Sequence, residues 1–272
     1  MFNTEAKRDL VDILNEYGTD KLNSLTKYPS IQTYHEIDRG CLKENLTDNE
    51  GFENEEVYIT EKVDGTNGRI VVLNGDYIIG SREELLYRKG DIFGNPSQNI
   101  VDIMKPWAED LATQLPMDNK LRVFYGEVYG SNINGAKQYT KHHNSNVRFF
   151  DCVVFDSFEE IIIKPIDHIS IWREHGGQPF VGVSEFADIM QSFGYDNNMV
   201  PFIMVEYGDN LPTERSETYE WLKHFEESRA CIDEEVFRGR AEGVVIRNSD
   251  RTMIRKVRFE DYEKTIRKHG RL

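Results

Sequence analysis

The sequence predicts one mixed domain of helices and β-strands in which the strands are mainly antiparallel. Three observations carry that expectation. Short runs of β-branched and aromatic residues are joined by tight turns, as at Asn74-Gly75-Asp76 and at Asn248-Ser249-Asp250-Arg251, and a hairpin makes its two strands antiparallel. Apolar residues at helical spacing occupy the stretches between these runs. At 272 residues with 39% hydrophobic side chains, the chain can bury a sizeable core, and no repeat or low-complexity linker divides it.

Taken in order, residues 4–16 place Leu10, Ile13 and Leu14 on one face with charges opposite, which predicts an amphipathic helix. The stretch YGTDKLNSLTKYPS reads as turns and leads to an extended segment over residues 31–37, and the polar, acidic residues 40–56 read as loop. A strand at 57–60 is followed by a hairpin over 69–79. Residues 96–115 read as a helix, but Pro106 lacks an N–H and predicts a kink or break. Strands are expected at 121–129, 147–155, 160–164 and 200–207, with helices at 184–193 and 213–228, the latter carrying an apolar stripe of Tyr219, Leu222 and Phe225. Two short strands, 243–247 and 252–258, and a charged helical tail end the pattern.

Composition narrows the function classes. No window approaches 18 uninterrupted apolar residues, and MFNTEAKRDL lacks the apolar core of a signal peptide, so the expected address is cytoplasmic, without a membrane partner. Cys41, Cys152 and Cys231 are far apart and outside any CxxC pair, which predicts reduced, structural cysteines. A net charge of -15 argues against non-specific coating of nucleic acid. Residues 237–272 nevertheless carry 11 Lys or Arg against 5 Asp or Glu, leaving -21 for residues 1–236. Such a basic end is either a docking face for a polyanion, with Lys264, Arg267, Lys268 and Arg271 helping to hold a strand, or a solvated helix. His142 and His143 have no acidic partner nearby in sequence and read as loop histidines.

The chemistry-bearing stretch is TEKVDGTN, residues 60–67, where Lys62 lies between two acids at the mouth of an apolar run. A lysine is a nucleophile only when deprotonated, which requires a partly desolvated pocket or neighbouring cations. Gly65 lets a ligand approach the backbone, and Asn67 offers an amide to a phosphate or sugar. Read alone, the stretch favours a hairpin lysine paired with Glu61 or Asp64. Further along, Lys256 and Arg258 stand two residues apart, a spacing that puts both cations on one face of a strand.

Together these segments resemble the covalent nucleotidyltransferases, and EKVDGTN (Glu61, Lys62, Asp64, Gly65 and Asn67) is similar to the motif of RNA ligases of the phage end-joining and trypanosome-editing type. The resemblance continues in order through Ser81-Arg82, FYGEVYG with Glu127, VRFFD with Phe149 and Phe150, AEGVVIR with Glu242, and IRKVR with Lys256 and Arg258. It implies an α+β adenylation fold of mainly antiparallel sheets flanked by helices with no C-terminal OB domain, divided into a nucleotidyltransferase domain at 57–272 and an N-terminal helix and extension, residues 1–56, packed on it.

The resemblance also implies ATP and Mg²⁺ or Mn²⁺ as cofactors and RNA ends as partners, with nicked duplex and broken tRNA both open. Lys62 would take up AMP, Lys256 and Arg258 would hold the α-phosphate, Arg82 would contact the phosphate or ribose, Glu127 the ribose hydroxyl, and Glu242 a metal. The base would stack on one of Phe149 and Phe150, since strand alternation turns only one of them to a pocket. Arginine at 258 replaces the family's usual lysine, and Asp64 stands where several such RNA ligases carry histidine. DNA nick sealing and a non-catalytic nucleotide- or RNA-binding module remain alternatives.

Overall fold

A computed structural model describes residues 7–48, 52–94, 99–133, 135–233, 238–270 and 272. Residues 4–6 and 96–98 of the expected helices, and Arg271, lie outside the described residues. The chain opens with α1 (Leu10–Tyr17), started by a capping box in which Asp9 and Asp12 bond each other's backbone N–H. The next segment is a second helix, α2 (Thr19–Thr26), where turns were expected. Leu22 and Leu25 bury one side of it, and this packing outweighs a polar sequence with no side-chain cap.

Strands β1 (Gln32–Thr33), β2 (His35–Asp38) and β3 (Cys41–Leu46) follow, so the predicted loop at 40–56 is partly strand. The outer half of β3 is exposed, which removes the hydrophobic alternation that would announce it. Next come β4 (Glu56–Lys62), β5 (Thr66–Leu73), β6 (Asp76–Ser81), β7 (Leu85–Arg88) and β8 (Asp91–Ile92). Helix α3 (Ile100–Gln114) runs through Pro106 without breaking, because Pro106 and Asp102, whose carbonyl loses its partner, both lie on the solvent face.

Strands β9 (Leu121–Gly130) and β10 (Ser145–Phe155) precede three helices, α4 (Glu159–Ile162), α5 (Ile166–Glu174) and α6 (Val183–Ser192). The strand expected at 160–164 is therefore helical: Phe158 and Ile162, four residues apart, both enter the core, while Ile163 is exposed. The remaining elements are β11 (Phe202–Tyr207), α7 (Arg215–Lys223), β12 (Gly243–Asn248), β13 (Ile254–Arg258) and α8 (Phe259–His269). Helix α7 stops short of the predicted 213–228.

Two larger sheets organise the molecule. One has the order β1-β13-β12-β4-β11 and the other β10-β9-β5-β6-β7-β8, while β2 and β3 form a separate pair. Every strand pairing is antiparallel except β1 with β13. The six-stranded sheet is covered on both faces. Ile70, Val72 and Phe124 meet Met104 and Leu111 of α3 and Phe186 of α6; Val71, Val123 and Tyr125 meet α1 and α2 through Leu10, Ile13, Leu22 and Leu25. The five-stranded sheet buries Val57, Ile59, Val244 and Val257 against α7 and α8 and leaves its other face to a cleft. The N-terminal segment is woven into both sheets, through α1 and α2 on one and β1 on the other.

A buried ion cluster pins the sheets together. Asp151 of β10 accepts from Arg247 of β12 at 2.7 Å, and its other oxygen accepts from Arg251 Nε at 2.7 Å and from the Tyr28 hydroxyl at 2.5 Å. Burial alone would raise the Asp151 pKa, but Arg251 and Arg247 outweigh it and hold the carboxyl below the usual range. Removing one member of such a cluster strands the others as buried, uncompensated charges. Asp151→Ala should therefore lower stability to urea by about 3–5 kcal/mol at pH 7. The folded pKa is depressed, so the stabilisation is present above about pH 4 and lost as pH falls through the lower folded value. The wild-type advantage in urea melts should shrink accordingly below pH 4; an equal advantage at pH 7 and pH 2.5 would refute the ionic origin.

Candidate active site

A cleft of about 550 Å³ lies between the two sheets. Its position follows from strand alternation. In β4, Val57, Ile59 and Glu61 face the buried side, while Tyr58, Thr60 and Lys62 face the cleft. The register sets Lys62 beside Gly243 of β12, which is in turn beside Arg258 of β13, and sets Thr60 beside Val245, which is in turn beside Lys256. Lys62, Lys256 and Arg258 thus share one sheet face. From the opposite sheet, Asn67 of β5 and Glu127 of β9 stand directly paired and face the same space.

The charges in the cleft are arranged in short-range pairs. Lys62 Nζ donates to Glu242 Oε2 at 2.5 Å, and Arg258 lies 3.7 Å from the other Glu242 oxygen. Arg258 is held by a two-pronged contact with Asp261 at 2.8 and 2.9 Å, which fixes the plane of its guanidinium. Lys256 makes no ion pair among the described residues; burial, with Arg258 and Lys62 nearby, lowers its pKa. Burial raises the Glu127 pKa to about 7, against the attraction of Lys62 and with the repulsion of Glu242 and Asp64. Asn67 Oδ1 is buried and accepts no hydrogen bond among the described residues.

Of the residues singled out from sequence, Lys62, Asp64, Gly65, Asn67, Arg82, Glu127, Phe150, Glu242, Lys256 and Arg258 are brought together around this cleft. Arg82 stands at its rim, 60% exposed, beside Ser30 and Glu83. Two corrections are needed. Phe149 is fully buried in the core against Trp107 and does not line the cleft, so of the two it is Phe150 that borders it. Glu61 also borders the cleft, but its carboxylate turns to the other side of β4, where Ser228 Oγ and the Arg229 N–H donate to it at 2.5 and 2.7 Å and it anchors a loop. The role of Gly65 also changes: a Cβ there would lie 2.3 Å from the Val128 carbonyl oxygen, so the glycine is required by packing on β9.

Sequence reasoning missed several cleft residues. Tyr28 and Pro29 come from the segment read as turns and Ile31 from the start of the extended one, and Asp151 and Arg247 lie within quoted motifs without having been given a part. A signal existed only for the last two, as buried-charge candidates of opposite sign in strands. The three cysteines are free and buried, as read from their spacing. No group of three or more His, Cys, Asp or Glu able to hold a metal occurs among the described residues, and no helix there is long and apolar enough to cross a membrane.

The Glu127 shift has a definite sign. A carboxyl whose folded pKa lies above its unfolded value costs nothing below about pH 4, and its burial penalty grows as pH rises toward 7. Glu127→Gln should therefore be more stable than wild type at pH 8, by roughly 1–3 kcal/mol, and should lose that advantage by pH 4. Urea melts at both pH values check this; an advantage that grows on acidification contradicts the assignment.

Comparison with known proteins now bears on this geometry. No curated protein sequence matches the chain. Among solved structures, an apo mutant of Naegleria gruberi RNA ligase is similar with a TM-score of 0.52 at 15% identity, over 89% of this chain and 61% of that one. A second mutant of that ligase, solved with ATP and Mn, gives 0.52 at 14% identity, over 99% and 70%. At such identities the likeness is one of fold, and this chain spans 61% of the first of these proteins. The RNA ligase family model matches residues 55–265, a span that includes β4, β5, β9, β12 and β13 around the cleft, and the chain belongs to the RNA ligase family.

Proposed function

We propose that the chain is an ATP-dependent RNA ligase that works through a covalent Lys62-AMP intermediate. The observation that carries this reading is the placement of Lys62 in the cleft with Glu242 at 2.5 Å and with Lys256 and Arg258 on the same sheet face. Joining a 5′-phosphate to a 3′-hydroxyl requires activation, because the phosphate alone has no good leaving group. In the first step, Lys62 Nζ forms a bond to the α-phosphorus of ATP and the bond to pyrophosphate breaks. Glu242 Oε2 is within reach of the proton that the amine must lose. The adenylate then passes to a 5′-phosphate, and a 3′-hydroxyl displaces AMP.

The protein's share is positioning and charge neutralisation, which dominate phosphoryl transfer. Lys256 and Arg258 bind the α-phosphate oxygens, the second as a fixed planar fork. Glu127 and Asn67 face the ribose, and the orphaned Asn67 Oδ1 supports a polar ligand there. Phe150 stacks on the base. Glu242 is the residue that would hold Mg²⁺ or Mn²⁺, since one carboxylate and no protein cage is the usual provision for nucleotide-borne metals. When bound, the ion supplies further neutralisation of phosphate charge. The finer partners follow from the same reading: RNA ends, with a nicked duplex or a broken tRNA as the substrates to compare.

The test is incubation with α-labelled ATP and Mg²⁺ followed by a denaturing gel. Label should stay on the wild-type chain, disappear in Lys62→Ala, and form about 10²-fold more slowly in Lys256→Ala, the usual cost of losing one charge-stabilising donor. Wild-type protein that takes no label under any condition sinks the proposal. Sealing of nicked duplexes carrying RNA or DNA on the 3′-hydroxyl side then separates RNA ligation from DNA nick sealing; faster sealing of the DNA nick would overturn the RNA assignment.

A further inference from the structure

Phe150 occupies an irregular position. The ladder between β10 and β9 pairs Phe149 with Gly126 and Asp151 with Tyr125, leaving Phe150 as the extra residue of a β-bulge. A bulge re-aims a side chain but leaves it without a cross-strand partner to fix its direction. The ring is instead met by Tyr28, edge-on, with centroids 5.0 Å apart and planes at 81°.

Tyr28 is itself immobilised. Its hydroxyl donates to Asp151 Oδ2 at 2.5 Å and accepts from Arg251 Nη2 at 2.8 Å. Its ring also lies edge-on to Tyr125 at 4.9 Å and to Phe180 at 5.7 Å, and the Arg251 guanidinium stands 5.0 Å from its centroid. Both Tyr28 and Phe150 border the cleft. A residue with its hydroxyl locked into the ion cluster and its ring in edge-to-face contact with Phe150 transmits the rigidity of the cluster to the bulged ring.

We infer that Tyr28 is a positioning residue that holds Phe150 in the orientation receiving the nucleobase of ATP, an inference that rests on the nucleotide-binding reading of the cleft. Stacking gains its energy from a ring already fixed in place, because a freely turning ring loses rotamer freedom on binding. Tyr28 therefore acts on nucleotide affinity through Phe150 and leaves the chemistry at Lys62 untouched.

The experiment is a double-mutant cycle on the full chain, read by ATP dissociation constants from calorimetry and by the rate of lysyl-AMP formation at saturating ATP. Tyr28→Leu should weaken ATP binding about fivefold, the size of one edge-to-face ring contact, with the saturating rate within about twofold of wild type. Tyr28→Phe, which keeps the ring contact but loses the tie of the hydroxyl to the cluster, should bind with an affinity between those of Tyr28→Leu and wild type. Tyr28→Leu combined with Phe150→Ala should bind no more weakly than Phe150→Ala alone. Tyr28→Met is made alongside, so that the cycle does not depend on the folding of one variant. Wild-type affinity in Tyr28→Leu, or losses that multiply in the double variant, would overturn the inference. If the wild type binds ATP but takes no label, the ligase reading falls while the binding cycle still decides the part of Tyr28; if it does not bind ATP, both fall.

Discussion

Three residues, 63–65, carry the chain from the end of β4 in one sheet to the start of β5 in the other, and the cleft depends on that link being short and rigid. Val63 is buried among Tyr129, Tyr139 and Ala230, and the Asp64 N–H donates to the Tyr139 hydroxyl at 2.6 Å. Gly65 lets the backbone lie against Val128 of β9, where a side chain would collide. Lys62 is consequently fixed at the crossing point. Glu127, Glu242, Lys256 and Arg258 each stand on, or one residue from, a strand paired directly or through one neighbour to β4 or β5.

The arrangement reconciles an acidic protein with a polyanionic ligand. A net charge of -15 sets the long-range field, which salt screens within about 10 Å. Inside the cleft the local balance differs, because Lys62, Lys256 and Arg258 converge from one sheet while Glu242 and Asp261 hold two of them in place. On the proposed reading an incoming phosphate competes with Glu242 for Lys62 and meets Lys256, which has no ion pair among the described residues, so attraction for a polyanion is concentrated at a few positions of the cleft.

How much of this was legible follows from what each feature depends on. The β5–β6 hairpin was readable because Asn74 and Gly75 both take the positive φ that its turn requires. Lys62, Glu127, Glu242, Lys256 and Arg258 were readable as an ordered set of motifs, and strand periodicity then predicted their shared faces. Helix α2 and strand β3 were not, because their stability comes from Leu22, Leu25 and Leu42 meeting residues distant in sequence. Nor was the choice of Phe150 over Phe149: alternation says that one ring faces the cleft, but a bulge after Phe149 has no local sequence mark. The three-sided environment of Asp151 involves partners 96, 100 and 123 residues away, beyond any pattern within a window.

The two ends of the cleft are closed by different physics. At the Lys62 end the sheets are joined covalently, through residues 63–65. Four residues along β12, about 13 Å at strand rise, they are joined ionically, where Arg247 meets Asp151 of β10. On the proposed reading the α-phosphate lies at Lys62 and the base at Phe150, whose ring stands beside the ion cluster through Tyr28. A covalent link tolerates changes in charge, whereas the ionic joint depends on Asp151 remaining ionised and on Tyr28 filling the gap beside it. Sheet separation at the base end is therefore the softer coordinate, so substitutions there should register first in nucleotide affinity, while substitutions in residues 63–65 act on the placement of Lys62 itself.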